Sequence, residues 1–162
     1  MKVIAVAGRR NAGKTSLIEA LLEAIPPAET VSTVKSIHHD VDFDTAGTDT
    51  HRHRSAGADV VVGVTPNLTA EFRTEGKTDG VTLSETLAKL DEQGMDWTIV
   101  EGFKAARIPT ILVGDIEPSA VGGEVLFRVQ DGTTVDGSAI WDRIQSVAAW
   151  SPDSGSVSGD RG

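Results

Sequence analysis

Residues 3–15 read Val-Ile-Ala-Val-Ala-Gly-Arg-Arg-Asn-Ala-Gly-Lys-Thr, an apolar run that passes directly into Gly-x-x-x-x-Gly-Lys-Thr. Consecutive apolar residues with no polar alternation mark a strand covered on both faces, as in a parallel sheet. Gly8 and Gly13 let the backbone fold back so that successive N–H groups converge on one anion. Lys14 adds a positive charge and Thr15 a hydroxyl suited to Mg²⁺. Leu17, Ile18, Leu21, Leu22 and Ile25 then recur at helical spacing until Pro26-Pro27 ends the pattern. Strand, glycine-rich loop and helix in that order predict a nucleotide phosphate cradle at a helix N-terminus. Its residues are Gly8, Asn11, Ala12, Gly13, Lys14, Thr15 and Ser16. An ordinary glycine turn before a surface helix is the bland alternative, and the flanking pattern argues against it.

Further along, residues 30–35 are a candidate second strand, followed by a polar stretch at 36–44. Residues 59–64 look like another buried strand and 68–73 a weaker one. Thr82-Leu83-Ser84-Glu85 has the form of a capping box that opens a helix with Leu83, Leu87 and Leu90 on one face, ending near Gly94. Residues 96–102 form an apolar strand closing on Glu101 and Gly102, 109–113 a short strand before Gly114-Asp115, and 125–129 an edge strand before the Asp131-Gly132 turn. Ser138 is placed to cap a last helix that buries Ile140, Trp141, Ile144, Val147 and Ala148.

This alternation predicts an α/β fold of the P-loop NTPase type, a mostly parallel sheet with helices on both faces. The loops after Ala7, Lys35, Val100 and Val113 then gather at the carboxyl edge, where ligands bind. Glu101 is expected there as a catalytic carboxylate near Mg²⁺ or its water shell, with Thr15 as the other metal position. Residues 1–150 are expected to be one domain, and 151–162, rich in Ser, Gly and Asp, a disordered tail.

Composition narrows the partners. The chain has 24 acidic and 15 basic residues, a net charge of −9, which argues against nucleic acid and anionic membranes. Such a surface suits concentrated salt or simply an acidic domain. There is no cysteine, so disulfides and thiolate metal sites are excluded. No apolar run reaches membrane-span length and Met1 leads straight into a strand, so a cytoplasmic protein is expected. All four histidines, His38, His39, His51 and His53, fall within sixteen residues, which suggests either a metal or catalytic site or a solvated loop. Eight of the fifteen basic residues (Arg9, Arg10, Lys14, Lys35, Arg52, Arg54, Lys104 and Arg107) lie in or just after the loops assigned to the ligand edge. One triphosphate does not obviously need them all. Arg52 and Lys104 are therefore candidates to face a second phosphate-bearing ligand, unless they pair with Asp40, Asp42, Asp44 and Asp49.

The phosphate loop, V-K-S-I-H-H-D-V-D-F-D at 34–44, G-T-D-T-H-R-H-R-S-A-G-A at 47–58 and V-E-G-F-K at 100–104 together resemble the MobB family of molybdopterin-guanine dinucleotide biosynthesis proteins, over roughly residues 1–113. The resemblance implies a GTP-binding P-loop protein, usually a homodimer, with weak GTPase activity. It also implies a helper role beside the enzyme that attaches GMP to molybdopterin. By position, Lys35, His38, His39 and Asp40 are the second motif, and Glu101, Gly102 and Lys104 the third. Asp40 stands where it could hold a Mg²⁺ water, and molybdopterin is the candidate second anion. Ser36 occupies a place where the family commonly has histidine. No Asn-Lys-x-Asp guanine motif is present, which leaves Asp115 as a candidate reader of the base. Two other classes share the loop. A GTP-dependent metal-insertion chaperone is disfavoured by the absence of cysteine and of a long histidine tract, and a small-molecule kinase by the absence of an arginine-rich lid.

Overall fold

The computed structural model describes residues 1–76 and 82–152. They fall into two compact units, Met1–Ile37 with Leu83–Gly162, and His38–Thr82. Residues 1–150 were expected as one domain. The division arises because the second of these units builds its own small sheet and shares no strand with the larger one. Residues 153–162, most of the expected tail, lie outside the described residues.

The larger unit is built on β1 (Lys2–Gly8), buried at every position from Val3 onward. With α1 (Lys14–Ala24), β2 (Val31–Lys35), α3 (Leu83–Glu92), β5 (Trp97–Glu101), β6 (Thr110–Val113), β7 (Val125–Val129) and α4 (Gly137–Ile144) it forms one layered body. The five strands run in the order β2-β5-β1-β6-β7, and every neighbouring pair is parallel. Alternate side chains of a strand face opposite ways. Ile4, Val6, Ile99, Ile111 and Val113 accordingly share a core with Leu17 and Leu21 of α1 and Ile140, Trp141 and Ile144 of α4. Val3, Ala5 and Val100 share another with Leu87 of α3. Helices therefore cover both faces. Trp97 and Trp141 meet edge to face with ring centroids 4.9 Å apart.

Threonine hydroxyls buried inside this unit are paired, whereas the buried indole Nε1 of Trp150 has no hydrogen-bond partner among the described residues. Buried Thr110 donates to the Ile108 carbonyl at 2.7 Å, and Thr98 shares a 2.6 Å hydrogen bond with Ser32. Asp96 accepts from the backbone N–H and the hydroxyl of Thr30 at 2.7 and 2.8 Å, which ties the start of β2 to the start of β5. Those bonds hold the Asp96 carboxyl below the usual carboxylate range. The last helix starts earlier than expected. Asp136, not Ser138, is its cap, accepting from the N–H groups of Ser138 and Ala139 at 3.0 and 3.3 Å.

The smaller unit holds α2 (Asp49–Ser55) and the antiparallel pair β3 (Val60–Val64) and β4 (Thr69–Arg73). The sequence offers no apolar periodicity for α2. Its ends are matched to the helix dipole instead, with Asp49 in the first turn and Arg52, His53 and Arg54 in the last. The expectation of a buried strand at 59–64 is corrected. Val61 is buried, but Val60, Val62 and Val64 are 41%, 51% and 74% exposed. A continuous valine run looks the same in a covered parallel strand and in a two-stranded ribbon, so the run alone could not distinguish them. No helix of the described residues is long and apolar enough to cross a membrane.

Leu21 is fully buried between β1 and α4. Leu21→Ala should destabilise the protein by about 2–5 kcal/mol, the usual cost of such a truncation. Urea unfolding measures it. A loss well below 1 kcal/mol would mean that α1 is not docked as described.

Candidate functional site

At the carboxyl end of β1 the chain turns through Gly8 to Gly13. Asn11 and Gly13 both have positive φ, 62° and 86°. Gly13 is the N-cap of α1 and offers no side-chain cap, and no acidic residue stands in the first turn. The N–H groups there are thus left for an outside acceptor, on the positive end of the helix dipole. The Lys14 ammonium donates to the Arg9 carbonyl at 2.7 Å and folds back over the loop. Thr15 is exposed and Ser16 half-buried beside it.

On one side of β1, the register sets Val6 against Glu101 of β5 and Glu101 against Lys35 of β2. The Lys35 ammonium lies 3.1 Å from the Glu101 carboxylate, whose side chain is 14% exposed. The Ser36 N–H donates to the Glu101 carbonyl at 2.8 Å. The chain leaves β5 through two left-handed residues, Gly102 and Phe103, with φ of 92° and 49°. Lys104 follows, exposed.

On the other side of β1, β6 leads to Gly114 and exposed Asp115. The Gly114 N–H donates to the Val129 carbonyl at 2.9 Å, and the Arg128 guanidinium donates to the Gly114 carbonyl. Beyond β7 the chain returns to the phosphate loop. The Gly132 N–H donates to the Ala12 carbonyl at 3.3 Å, and a Cβ on Gly132 would sit 2.1 Å from the Gly13 carbonyl oxygen. Asp131 accepts from the backbone N–H and hydroxyl of Thr133 at 2.9 and 2.7 Å. From sequence, residues 131–132 are a turn and nothing more. The signal that could have found them is the Asp-x-Thr pattern of a side-chain-pinned turn directly after a strand of the ligand edge.

The larger unit therefore brings together Gly8, Asn11, Ala12, Gly13, Lys14, Thr15, Ser16, Lys35, Glu101, Gly102, Lys104 and Asp115 at the carboxyl ends of its strands. His38, His39, Asp40 and Arg52 lie in the smaller unit, all four exposed. There Arg54 donates to Asp42 at 2.5 Å and holds its carboxyl below the usual range, with His51 3.6 Å away. Arg52 lies 3.7 Å from Asp49. Among the described residues no group of three histidines or carboxylates could hold a metal ion.

The family profile described as molybdopterin guanine dinucleotide synthesis protein B, MobB, matches residues 3–127. A relative from Methanocaldococcus jannaschii is 37% identical over 117 residues, 70% of this chain and 47% of its own length. The molybdopterin-guanine dinucleotide biosynthesis adapter protein of Haemophilus influenzae is 32% identical over 112 residues, 68% of this chain and 62% of its own. The match thus spans about half of the first relative and less than two thirds of the second. The crystal structure of Bacillus subtilis MobB has the same fold, with a TM-score of 0.61 at 23% identity over 80% of this chain and 77% of that one.

A Cβ on Gly102 would lie 2.6 Å from the Ser36 Cβ, whereas one on Gly94, at a φ of 79°, would meet nothing within 4 Å. Both positions are left-handed, so alanine costs about 1–2 kcal/mol at either. Gly102→Ala should be the more damaging, because it also pushes apart the strand ends that carry Lys35 and Glu101. Thermal melting of the two variants tests this, and an equal or larger loss for Gly94→Ala would contradict the packing.

Proposed function

We propose a function from one established premise, that the chain belongs to the MobB family, molybdopterin guanine dinucleotide synthesis protein B. The protein is a GTP-binding adaptor with weak Mg²⁺-dependent GTPase activity in biosynthesis of the molybdopterin guanine dinucleotide form of the molybdenum cofactor. It assists the enzyme that transfers GMP to molybdopterin. The observation that carries the reading is the uncapped, acid-free N-terminus of α1 behind the Gly13 turn, beside a carboxylate at the end of the neighbouring strand.

The α1 N–H groups and Lys14 would hold the phosphates. The Thr15 hydroxyl and the Glu101 carboxylate are hard oxygen donors of the kind Mg²⁺ prefers, and both belong to this unit. Bound there, Mg²⁺ would neutralise charge on the phosphate oxygens. Lys35 orients the Glu101 carboxylate and already offsets part of its charge.

A homodimer is part of the same proposal. The hairpin of β3 and β4 exposes Val60, Val62, Val64 and Leu68, with Phe43 in the same unit 72% exposed. An isolated two-stranded ribbon is marginal in water, and a second copy of this apolar surface is a fitting cover.

Lys14→Ala should lower GTP affinity by about tenfold or more without changing the melting temperature, since its described bond lies at the surface loop. Glu101→Gln should slow Mg²⁺-dependent hydrolysis more than it weakens binding. Calorimetry and phosphate release measure these; unchanged GTP affinity for Lys14→Ala would sink the assignment.

Sedimentation should find the parent dimeric and Val62→Lys monomeric. A parent that sediments as a monomer at tens of micromolar protein would remove the dimer from the proposal.

A further inference from the structure

We propose that the segment 130–134, after β7, is the nucleoside-facing wall of the nucleotide site, and that the Asp131 carboxylate selects guanine. The proposal rests on the reading of the phosphate loop as a GTP site and adds to it the residue that reads the base.

Direction comes first. Lys35 and Glu101, the metal-side groups, stand at the ends of β2 and β5. The terminal phosphates point that way. The nucleoside then extends across β1 to the opposite side, over β6 and β7. Two loops lie there, at 114–117 and 130–134, and they differ in how they are held. The second touches the phosphate loop backbone to backbone, with Gly132 buried and its N–H donating to the Ala12 carbonyl. A side chain at either glycine would collide: a Cβ on Gly13 would come within 2.8 Å of the Gly132 Cα and the Thr133 N. Asp131 is therefore set at a fixed place relative to the phosphates. Asp115 has no hydrogen-bond partner among the described residues to fix its carboxylate.

Chemistry then selects the base. Guanine presents two donors on one edge, N1–H and the C2 amine, where adenine presents an acceptor and a C–H. An ionised carboxylate only accepts, so it fits the first edge and repels the second. Both Thr133 bonds end on Oδ1 of Asp131, so Oδ2 of this exposed side chain is left for a donor from outside. The same bonds hold the carboxyl below its ordinary range, which keeps it ionised at neutral pH. A recognition group that is rigid before the ligand arrives discriminates best.

Asp131→Asn keeps an oxygen for Thr133 and replaces Oδ2 with an amide donor. Guanine then loses its acceptor, whereas xanthine, with an oxygen at C2, gains a donor. Calorimetry with GDP and XDP in Mg²⁺ should show GDP affinity down about tenfold to a hundredfold and XDP affinity up for Asp131→Asn, with no such exchange of preference for Asp115→Asn. If Asp115→Asn produces the exchange, or Asp131→Asn leaves both affinities as in the parent, the assignment of the base to this loop is overturned. A parent that binds no GDP at all overturns the GTP site itself, which separates the two failures. Should Asp131→Asn not fold, Thr133→Val offers the second test. It removes the hydroxyl bond to the carboxylate while keeping the backbone one, and should lower the preference for GDP over ADP; an unchanged preference counts against the proposal.

Discussion

The strand β1, buried on both faces, ends in a turn whose two glycines have no room for a side chain, and that constraint organises the larger unit. β1 is buried from Val3 onward and has parallel partners on both sides, so its neighbours can be reached only by crossovers over the two faces. Where it ends, a Cβ on Gly8 would lie 2.6 Å from the Val113 carbonyl oxygen. Gly13 is pressed in the same way by Gly132. The phosphate loop is thus shaped by β6 and by the segment after β7, independent of any ligand. That is the condition for a preorganised anion site, in which little ordering entropy remains to be lost on binding.

The parts of this design that depend on local pattern were legible in the sequence. Residues 3–7, the helix from Lys14 and the strand closing on Glu101 combine burial on both faces with the chemistry of the loop, so period and motif agree. What depends on partners was not legible. The valines at 60, 62 and 64 carry the same signature as Val3-Ile4-Ala5-Val6, and only the presence of a covering layer separates them. α2 lacks an apolar stripe and is held by capping and charge, so periodicity had nothing to detect. Ser138 was a reasonable cap by type, but Asp136 accepts from the N–H groups of Ser138 and Ala139 and so starts the helix two residues earlier.

The candidate site divides along the same line. Lys35 and Glu101 are tied to each other by strand register, which also sets Glu101 against Val6 shortly before the loop that carries Gly13 and Lys14. Histidines 38 and 39 with Asp40 follow β2 directly in sequence, and sequence order alone put them at the same strand end. The chain enters the second unit at residue 38, so no strand register of the larger sheet fixes these residues. Among the described residues the ionic contacts of that unit are local. Asp42 with Arg54 and His51, and Asp49 with Arg52, are exposed or half-exposed pairs of the kind that contribute little stability.

An excess of nine negative charges might be thought to oppose a polyanionic ligand. Distance decides otherwise. The Debye length is about 8 Å at physiological ionic strength and about 3 Å at 1 M, so exposed carboxylates elsewhere on the surface are screened from the loop. What an anion at the loop would meet is local: Lys14, the exposed Arg9 and Arg10 beside it, and N–H groups of a helix whose first turn has no acid. At the same time Lys35 lies against Glu101 and offsets the one carboxylate that the strand register brings to the neighbouring strand end. Binding of an anion by an acidic chain is then a matter of which charges sit within one screening length, and on the loop itself those are positive.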